Sequence, residues 1–364
     1  MIVARTRAEL ATALEKIRAP QARYPRSGGP GGALRESTAS GLPSGGTGAR
    51  GDGGQVPPMQ EGLGAGAPHA GRPEPPMREI SPPGGQLLLV PTMGALHDGH
   101  RALLRRAREL AGPGGAVAVS IFVNPLQFGP TEDLDKYPRT LDQDLVTCEE
   151  ERVDLVFAPS VREMYPRQQF VMVDPGPAGE ILEGEFRPGF FHGVLTVVLK
   201  LFSLVRPDVA VFGQKDAQQL ALVRAMSADF ALGIEIEAVP TVRAADGLAL
   251  ASRNNYLSEQ ERALAPVLHR ALAAGAAAAP AGPAAVLAAA QEVLDGAVLD
   301  RADASPRVDY LALVEARSYR PVPLDSDFDF HGDAVLAIAA RIGTTRLIDN
   351  VTAHFGTERH AADD

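Results

Sequence analysis

The sequence predicts an α/β fold, a mostly parallel sheet covered by helices on both faces, followed by a smaller α+β region. Two observations carry this expectation. Apolar runs of strand length alternate with helix-length periodic stretches from residue 87 to residue 239, the pattern of strand–helix–strand crossovers. From about residue 241 the texture changes to polar turns, an alanine-rich helical stretch and half-buried alternation at 307–314 and 334–342.

The elements follow in order. Residues 2–3 read as a short strand, and Thr6 with Glu9 as a capping box opening a helix whose Leu10, Leu14 and Ile17 share a face. From 20 to 85, 29 of 66 residues are Gly or Pro. That composition cannot bury enough apolar surface to offset its ordering entropy, so 20–85 reads as a disordered insertion. Strands are expected at 87–90, 116–123, 153–158, 170–173, 209–213 and 234–239. Helices are expected from Leu103 to Leu110, through Leu141, Leu145 and Cys148, and at 194–205 and 217–230. Ser258 and Glu261 form a second capping box, and 271–299 is helical with a break at 280–283. The division expected is 1–240 and 241–364, joined near Pro240, so that the second part can close over a ligand.

A formal charge of −10, no Trp and no long basic run exclude a nucleic-acid surface. The absence of any 18-residue apolar stretch argues against a membrane span, and a single cysteine, Cys148, fits a reducing cytoplasm.

The chemistry concentrates in Pro91-Thr92-Met93-Gly94-Ala95-Leu96-His97-Asp98-Gly99-His100, where a strand, a glycine turn and a helix start meet. A helix N-terminus with unpaired N–H groups holds phosphate oxygens, and two flanking histidines add donors. The same junction could serve only to pack helix on strand, and His-x-x-His with Asp98 could serve a metal. In open parallel sheets ligands bind beyond the strands' carboxyl ends. Asn124 and Gln127 follow one strand, and Gly213-Gln214-Lys215-Asp216 another. After Asp246-Gly247, the run Ala251-Ser252-Arg253-Asn254 offers a hydroxyl and a guanidinium suited to phosphate.

Four long stretches in order, LVPTMGALHDGH (89–100), SIFVNPLQFGPTEDLDKYPRT (120–140), GVLTVVLKLFSLVRPDVAVFGQKDAQQL (193–220) and VPTVRAADGLALASRNNYLS (239–258), resemble the pantoate–β-alanine ligases. The resemblance spans the chain except 20–85. It implies a Rossmann-like N-terminal domain of the adenylyl-transferring type, a C-terminal lid, and AMP-forming condensation of pantoate with β-alanine. ATP as substrate, Mg²⁺ and a homodimer are implied with it. By the family's motif, residues 91–100, Gly213, Gln214, Lys215, Asp216, Val242, Leu250, Ala251, Ser252 and Arg253 contact ATP. His100 is the family's proton donor, His97 holds phosphates, and Lys215 steadies the transferring phosphate. Gln127 and Gln219 grip pantoate, with Asn124 and Met93 beside them.

The chain departs from the family's pattern at Phe190, Gln214 and Ala251, where relatives have His, Glu and Ser. Each is expected to remove one contact from the ATP site, about 0.5 to 1.5 kcal/mol. An acidic pair of relatives is Gln143-Asp144 here, which leaves Asp144 as the metal candidate. Two other readings stay open: a ligase or nucleotidyltransferase acting on another hydroxy acid, and a weakened nucleotide-binding homologue that recruits partners through its insertion.

Overall fold

The computed structural model describes residues 1–19, 85–129, 134–135, 137–300, 306–324 and 330–356, without the side chains of 298–300. The expected insertion at 20–85 lies outside them, apart from Gly85. Among the described residues, six strands form one parallel sheet: β1 (Ile2–Ala4), β2 (Leu87–Thr92), β3 (Ala116–Ile121), β4 (Leu155–Phe157), β5 (Val209–Gly213) and β6 (Glu235–Val239). Their spatial order is β1-β4-β3-β2-β5-β6. The chain therefore reverses direction across the sheet between β2 and β5, which pair through Leu88 with Val209 and Leu89 with Ala210. A reversal of this kind opens a crevice beyond the carboxyl ends of the two strands.

The central strands are apolar at consecutive positions because both faces are covered. Leu87 and Leu89 point into the core shared with helices α1 (Arg7–Arg18) and α6 (Phe190–Val205), while Leu88 and Val90 point into the core shared with α2 (Asp98–Ala111) and α3 (Leu141–Glu150). Cys148 is fully buried in the second core, where burial pushes its thiol up to about 12. The short helices α4 (Val161–Met164) and α5 (Glu183–Phe186) precede α6, and α7 (Ala217–Asp229) links β5 to β6. The capping box predicted at Thr6 is present: Glu9 N donates to Thr6 Oγ1 at 3.1 Å and Thr6 N to Glu9 Oε2 at 3.3 Å.

The second sheet is antiparallel, β7 (Arg307–Glu315), β8 (Gly332–Ile342) and β9 (Thr345–Phe355), in that order. It packs its own core against α9 (Val267–Ala277) and α10 (Pro283–Asp300), with Leu336, Ile338 and Leu272 at the centre. Helix α8 (Glu259–Leu264) starts at the second capping box, where Glu261 N donates to Ser258 Oγ.

Two differences from the expectation have physical causes. Residues 170–173 form no strand: Phe170 and Val171 are each 78% exposed, and Val173 N donates to the Thr196 hydroxyl at 3.0 Å rather than to a ladder. β9 was not anticipated. Asp349 breaks the apolar register of Leu347, Val351, Ala353 and Phe355, and Ile348 puts an apolar residue on the polar face, so the alternation is lost at the point where Ile348 and Asp349 line the cavity.

Candidate active site

A cavity of about 280 Å³ opens beyond the ends of β2 and β5. Of the residues predicted to act, Pro91, Thr92, Met93, His97, Gly99 and His100 line it from the β2–α2 turn. Gly213, Lys215 and Asp216 line it from the β5 end, and Gln127 and Gln219 flank these. Val242 and 250–253 line it as well. Gly94, Ala95, Leu96, Asp98, Asn124, Gln214 and Asp144 do not reach it.

The β2–α2 turn satisfies its own backbone in a way the sequence did not announce. His97 N donates to His100 Nδ1 at 3.3 Å, and Gly99 N donates to His97 Nδ1 at 3.1 Å. An imidazole that accepts at Nδ1 carries its neutral-form proton on Nε2. Both rings are thereby fixed as Nε2–H donors, with their centroids 4.2 Å apart. Burial pushes the His100 pKa down to about 3, assisted by His97 and Lys215; burial, then Lys215, lowers that of His97. His100, expected as the proton donor, lines the cavity with its neutral-form proton on Nε2.

The N–H groups of Ala95 and Leu96, which the sequence offered to phosphate, donate instead to the Asp144 carboxylate at 3.0 and 2.8 Å. Asp144 is 1% exposed. It is the residue expected to lie near the metal, and both of its oxygens accept from the backbone of this turn. Among the described residues, no group of three His, Cys, Asp or Glu side chains could hold a metal ion, which includes the His97-Asp98-His100 arrangement.

Asn124 acts from behind the wall. Fully buried, it donates to Gln127 Oε1 at 3.1 Å and to Gly193 O at 3.1 Å, and accepts from the Tyr165 hydroxyl at 2.8 Å. Gln127 Nε2 lies 3.0 Å from Met93 Sδ, so the amide is oriented from both ends. At Gly193 a Cβ would meet Leu126 O at 2.1 Å, so glycine is required for α6 to approach this turn.

Lys215 and Asp216 lie in a one-turn 3-10 segment, Gln214–Asp216, with Lys215 Nζ 3.6 Å from Asp216 Oδ1. Asn350 of β9 donates to Lys215 O at 2.7 Å and Gln214 O at 3.0 Å, tying that turn to the second sheet. The Gln214 side chain is exposed and does not line the cavity, so the charge it lacks is not missing from the wall. Phe190 does line it, with the Arg187 guanidinium 3.6 Å above its ring. A cation over an aromatic face is a favourable electrostatic contact.

Sequence reasoning missed Tyr137, Arg187, Arg346 and Asp349 as lining residues. Tyr137 stood inside a quoted motif without a role; burial raises its pKa, while Arg253 and a hydrogen bond with Ser252 oppose the shift. Arg187 was legible as the residue before Pro188-Gly189, where Gly189 at φ +81° opens α6. Arg346 and Asp349 carried no signal, because β9 had not been recognised.

A family model described as pantoate-beta-alanine ligase matches residues 76–352. The pantothenate synthetase of Thermobifida fusca (strain YX) is 61% identical over 281 residues, 76% of this chain and 92% of that relative. That of Mycolicibacterium smegmatis is 52% identical over 279 residues, 77% and 84% of the two chains. The crystal structure of pantothenate synthetase from Thermus thermophilus superposes with a TM-score of 0.67 at 47% identity, covering 74% of this chain and 94% of that one. The pantoate-beta-alanine ligase of Francisella tularensis, solved as a complex with beta-gamma ATP and beta-alanine, gives 0.59 at 31% identity over 75% and 91%. This chain belongs to the pantoate–β-alanine ligase family.

Proposed function

We infer that this protein condenses pantoate with β-alanine at the expense of ATP, by way of pantoyl adenylate. The observation that carries the reading is the convergence of His97, His100, Lys215, Gln127 and Gln219, from three separate chain segments, on one cavity at the sheet's reversal point. A carboxylate does not react with an amine until its oxygen becomes a leaving group. The pantoate carboxylate oxygen therefore attacks the α-phosphorus, and the bond to the β-phosphate oxygen breaks to release pyrophosphate. The β-alanine nitrogen then attacks the acyl carbon, the carbon–oxygen bond to AMP breaks, and the nitrogen loses its proton.

Each side chain has a part in this scheme. Gln127, oriented by Asn124 and Met93, and Gln219 hold pantoate, since an amide both donates to a carboxylate and accepts from a hydroxyl. The Nε2–H groups of His97 and His100 and the Lys215 ammonium stabilise charge growing on the phosphates. Positioning and charge stabilisation suffice for transfer at phosphorus, so no protein nucleophile is needed. Val242, 250–253 and the β2–α2 turn contact the nucleotide. Residues 241–364 act as a lid over 1–240, hinged near Pro240.

Mg²⁺ would enter with the nucleotide and would supply neutralisation of the charge on its phosphates. A homodimer belongs to the same proposal, with the exposed Phe170 and Val171 as apolar surface for it, and sedimentation at twice the chain mass is its test. A cytoplasmic location fits the single reduced cysteine.

The experiment is AMP release by purified protein. Release that requires ATP, Mg²⁺, pantoate and β-alanine together supports the reading. Release indifferent to pantoate, or satisfied equally by other hydroxy acids, contradicts it.

A further inference from the structure

Asp144 stands outside the cavity wall yet controls the turn that forms it. It lies in the first turn of α3, 1% exposed. Its Oδ1 accepts from Leu96 N at 2.8 Å and from the Thr140 hydroxyl at 3.2 Å, and its Oδ2 accepts from Ala95 N at 3.0 Å. The backbone there passes through two left-handed residues, Gly94 at φ +86° and Ala95 at φ +52°. For alanine that conformation costs about 1–2 kcal/mol. Successive N–H groups exposed by such a bend form a concave anion site of the kind that binds phosphates. Here the protein's own carboxylate fills it.

The fit is steric as well as polar. A Cβ at position 94 would lie 2.9 Å from Asp144 Oδ2 and 3.1 Å from Ile121 Cγ2, so the carboxylate packs directly against the glycine. From this anchor a short relay runs to the reacting centre. Asp144 holds Leu96 N, the next residue is His97, and His97 N donates to His100 Nδ1.

We propose that Asp144 is a positioning residue for the ATP chemistry, setting the 94–96 turn and through it both histidines, and that it does not ligate Mg²⁺. The positioning half rests on the adenylate-forming reading given above. The other half follows from the residue itself: both oxygens are engaged by backbone donors, and a side chain with 1% exposure leaves no room for an ion that keeps several of its waters. A displacement of about 1 Å in a catalytic group lowers rate by about 10²-fold, so a brace at this distance has leverage.

Asp144→Asn keeps the shape but sets an amide NH₂ against one of the two backbone N–H groups. With far-UV circular dichroism unchanged, its kcat/KM for ATP in pantoate-dependent pyrophosphate exchange is expected to fall by about 10- to 100-fold. The Mg²⁺ concentration giving half-maximal rate should stay within about twofold of wild type, whereas loss of a metal-holding group shifts it by about 10- to 100-fold. Asp144→Glu should not rescue, because the site has no space for a further methylene. A fall that excess Mg²⁺ restores, or no fall at all, overturns the proposal. A measurement on the unaltered protein covers the case in which the variants do not fold. The ¹⁵N–¹H amide signals of Ala95 and Leu96 should stay in place when Mg²⁺ alone is added, and a saturable shift would overturn the proposal. Wild-type protein without any exchange activity would count against the functional reading, while the amide titration would still decide what Asp144 binds.

Discussion

Arg346 donates to Glu183 from both terminal nitrogens, at 2.7 and 2.9 Å, across 163 residues of sequence. The pair joins β9 of the small sheet to helix α5 beside the large one. The Tyr310 hydroxyl adds a third bond to Glu183 at 3.0 Å, and Arg346 Nε donates to Asp309 at 2.6 Å. Burial works against the Arg346 charge, but Glu183 and Asp309 outweigh it and raise its pKa.

Removing one partner of such a pair leaves an uncompensated buried charge. Arg346→Met should destabilise the protein by about 3–5 kcal/mol in urea unfolding, and Glu183→Gln by less, since Arg346 keeps Asp309. Because Arg346 also lines the cavity, the Met variant should lose activity, which makes Glu183→Gln the cleaner probe of the join. A cost below about 1 kcal/mol for Arg346→Met would mean that the pair does not hold the two sheets together.

Asparagine offers an oxygen close to where histidine offers Nδ1, but nothing in place of Nε2–H. His97→Asn should therefore keep the cap on Gly99 N, asparagine being a favoured N-cap residue, and His100→Asn should keep the bond from His97 N. Both variants should melt near the wild-type temperature and lose about 10²- to 10³-fold in kcat. Full activity in either would remove that imidazole from the mechanism.

The His100 pKa, pushed down to about 3 from 6.5, has a defined consequence for stability. Between those values the unfolded chain binds a proton that the native protein excludes. The native state is therefore fully favoured above about pH 6.5 and loses stability progressively as pH falls toward 3. Urea midpoints measured from pH 7.5 down to pH 5 should fall more steeply for wild type than for His100→Asn. Equal slopes would show that the ring is not held neutral. ATP brings negative charge to both rings, so its binding near pH 6 should take up protons, read by calorimetry in two buffers of different ionisation enthalpy.

Ala251 heads the 3-10 turn Ser252–Tyr256 without a side-chain cap and lines the cavity. Ala251→Ser supplies the hydroxyl expected from the family's pattern, and its kcat/KM for ATP should rise by about 10-fold, the worth of one hydrogen bond to a charged group. If neither this change nor Ser252→Ala moves kcat/KM by more than about twofold, the segment is not a phosphate clamp.

The parallel sheet was legible because strands buried on both faces read as unbroken apolar runs, as residues 87–90 and 209–212 do. The nucleotide turn was legible because glycine, histidine and a helix start fall together at 91–100. What escaped was the internal accounting of that turn. Nothing in the sequence distinguishes N–H groups left for a phosphate from N–H groups taken by a carboxylate about 50 residues away, as those of Ala95 and Leu96 are by Asp144. Phe170-Val171-Met172-Val173 has strand composition without a partner strand, and pairing is a property of the sheet rather than of the segment. β9 was hidden for the opposite reason: at the cavity Ile348 lies on the polar face and Asp349 on the apolar one, which breaks the alternation that marks a strand.

The central claim is that ATP and pantoate react first, in this cavity, before β-alanine takes part. Exchange of labelled pyrophosphate into ATP measures that step directly. The account predicts exchange that requires pantoate and Mg²⁺, proceeds without β-alanine, and falls by about 10²-fold or more in His100→Asn. No exchange under conditions where the complete mixture forms pantothenate, or exchange that needs β-alanine, would contradict it.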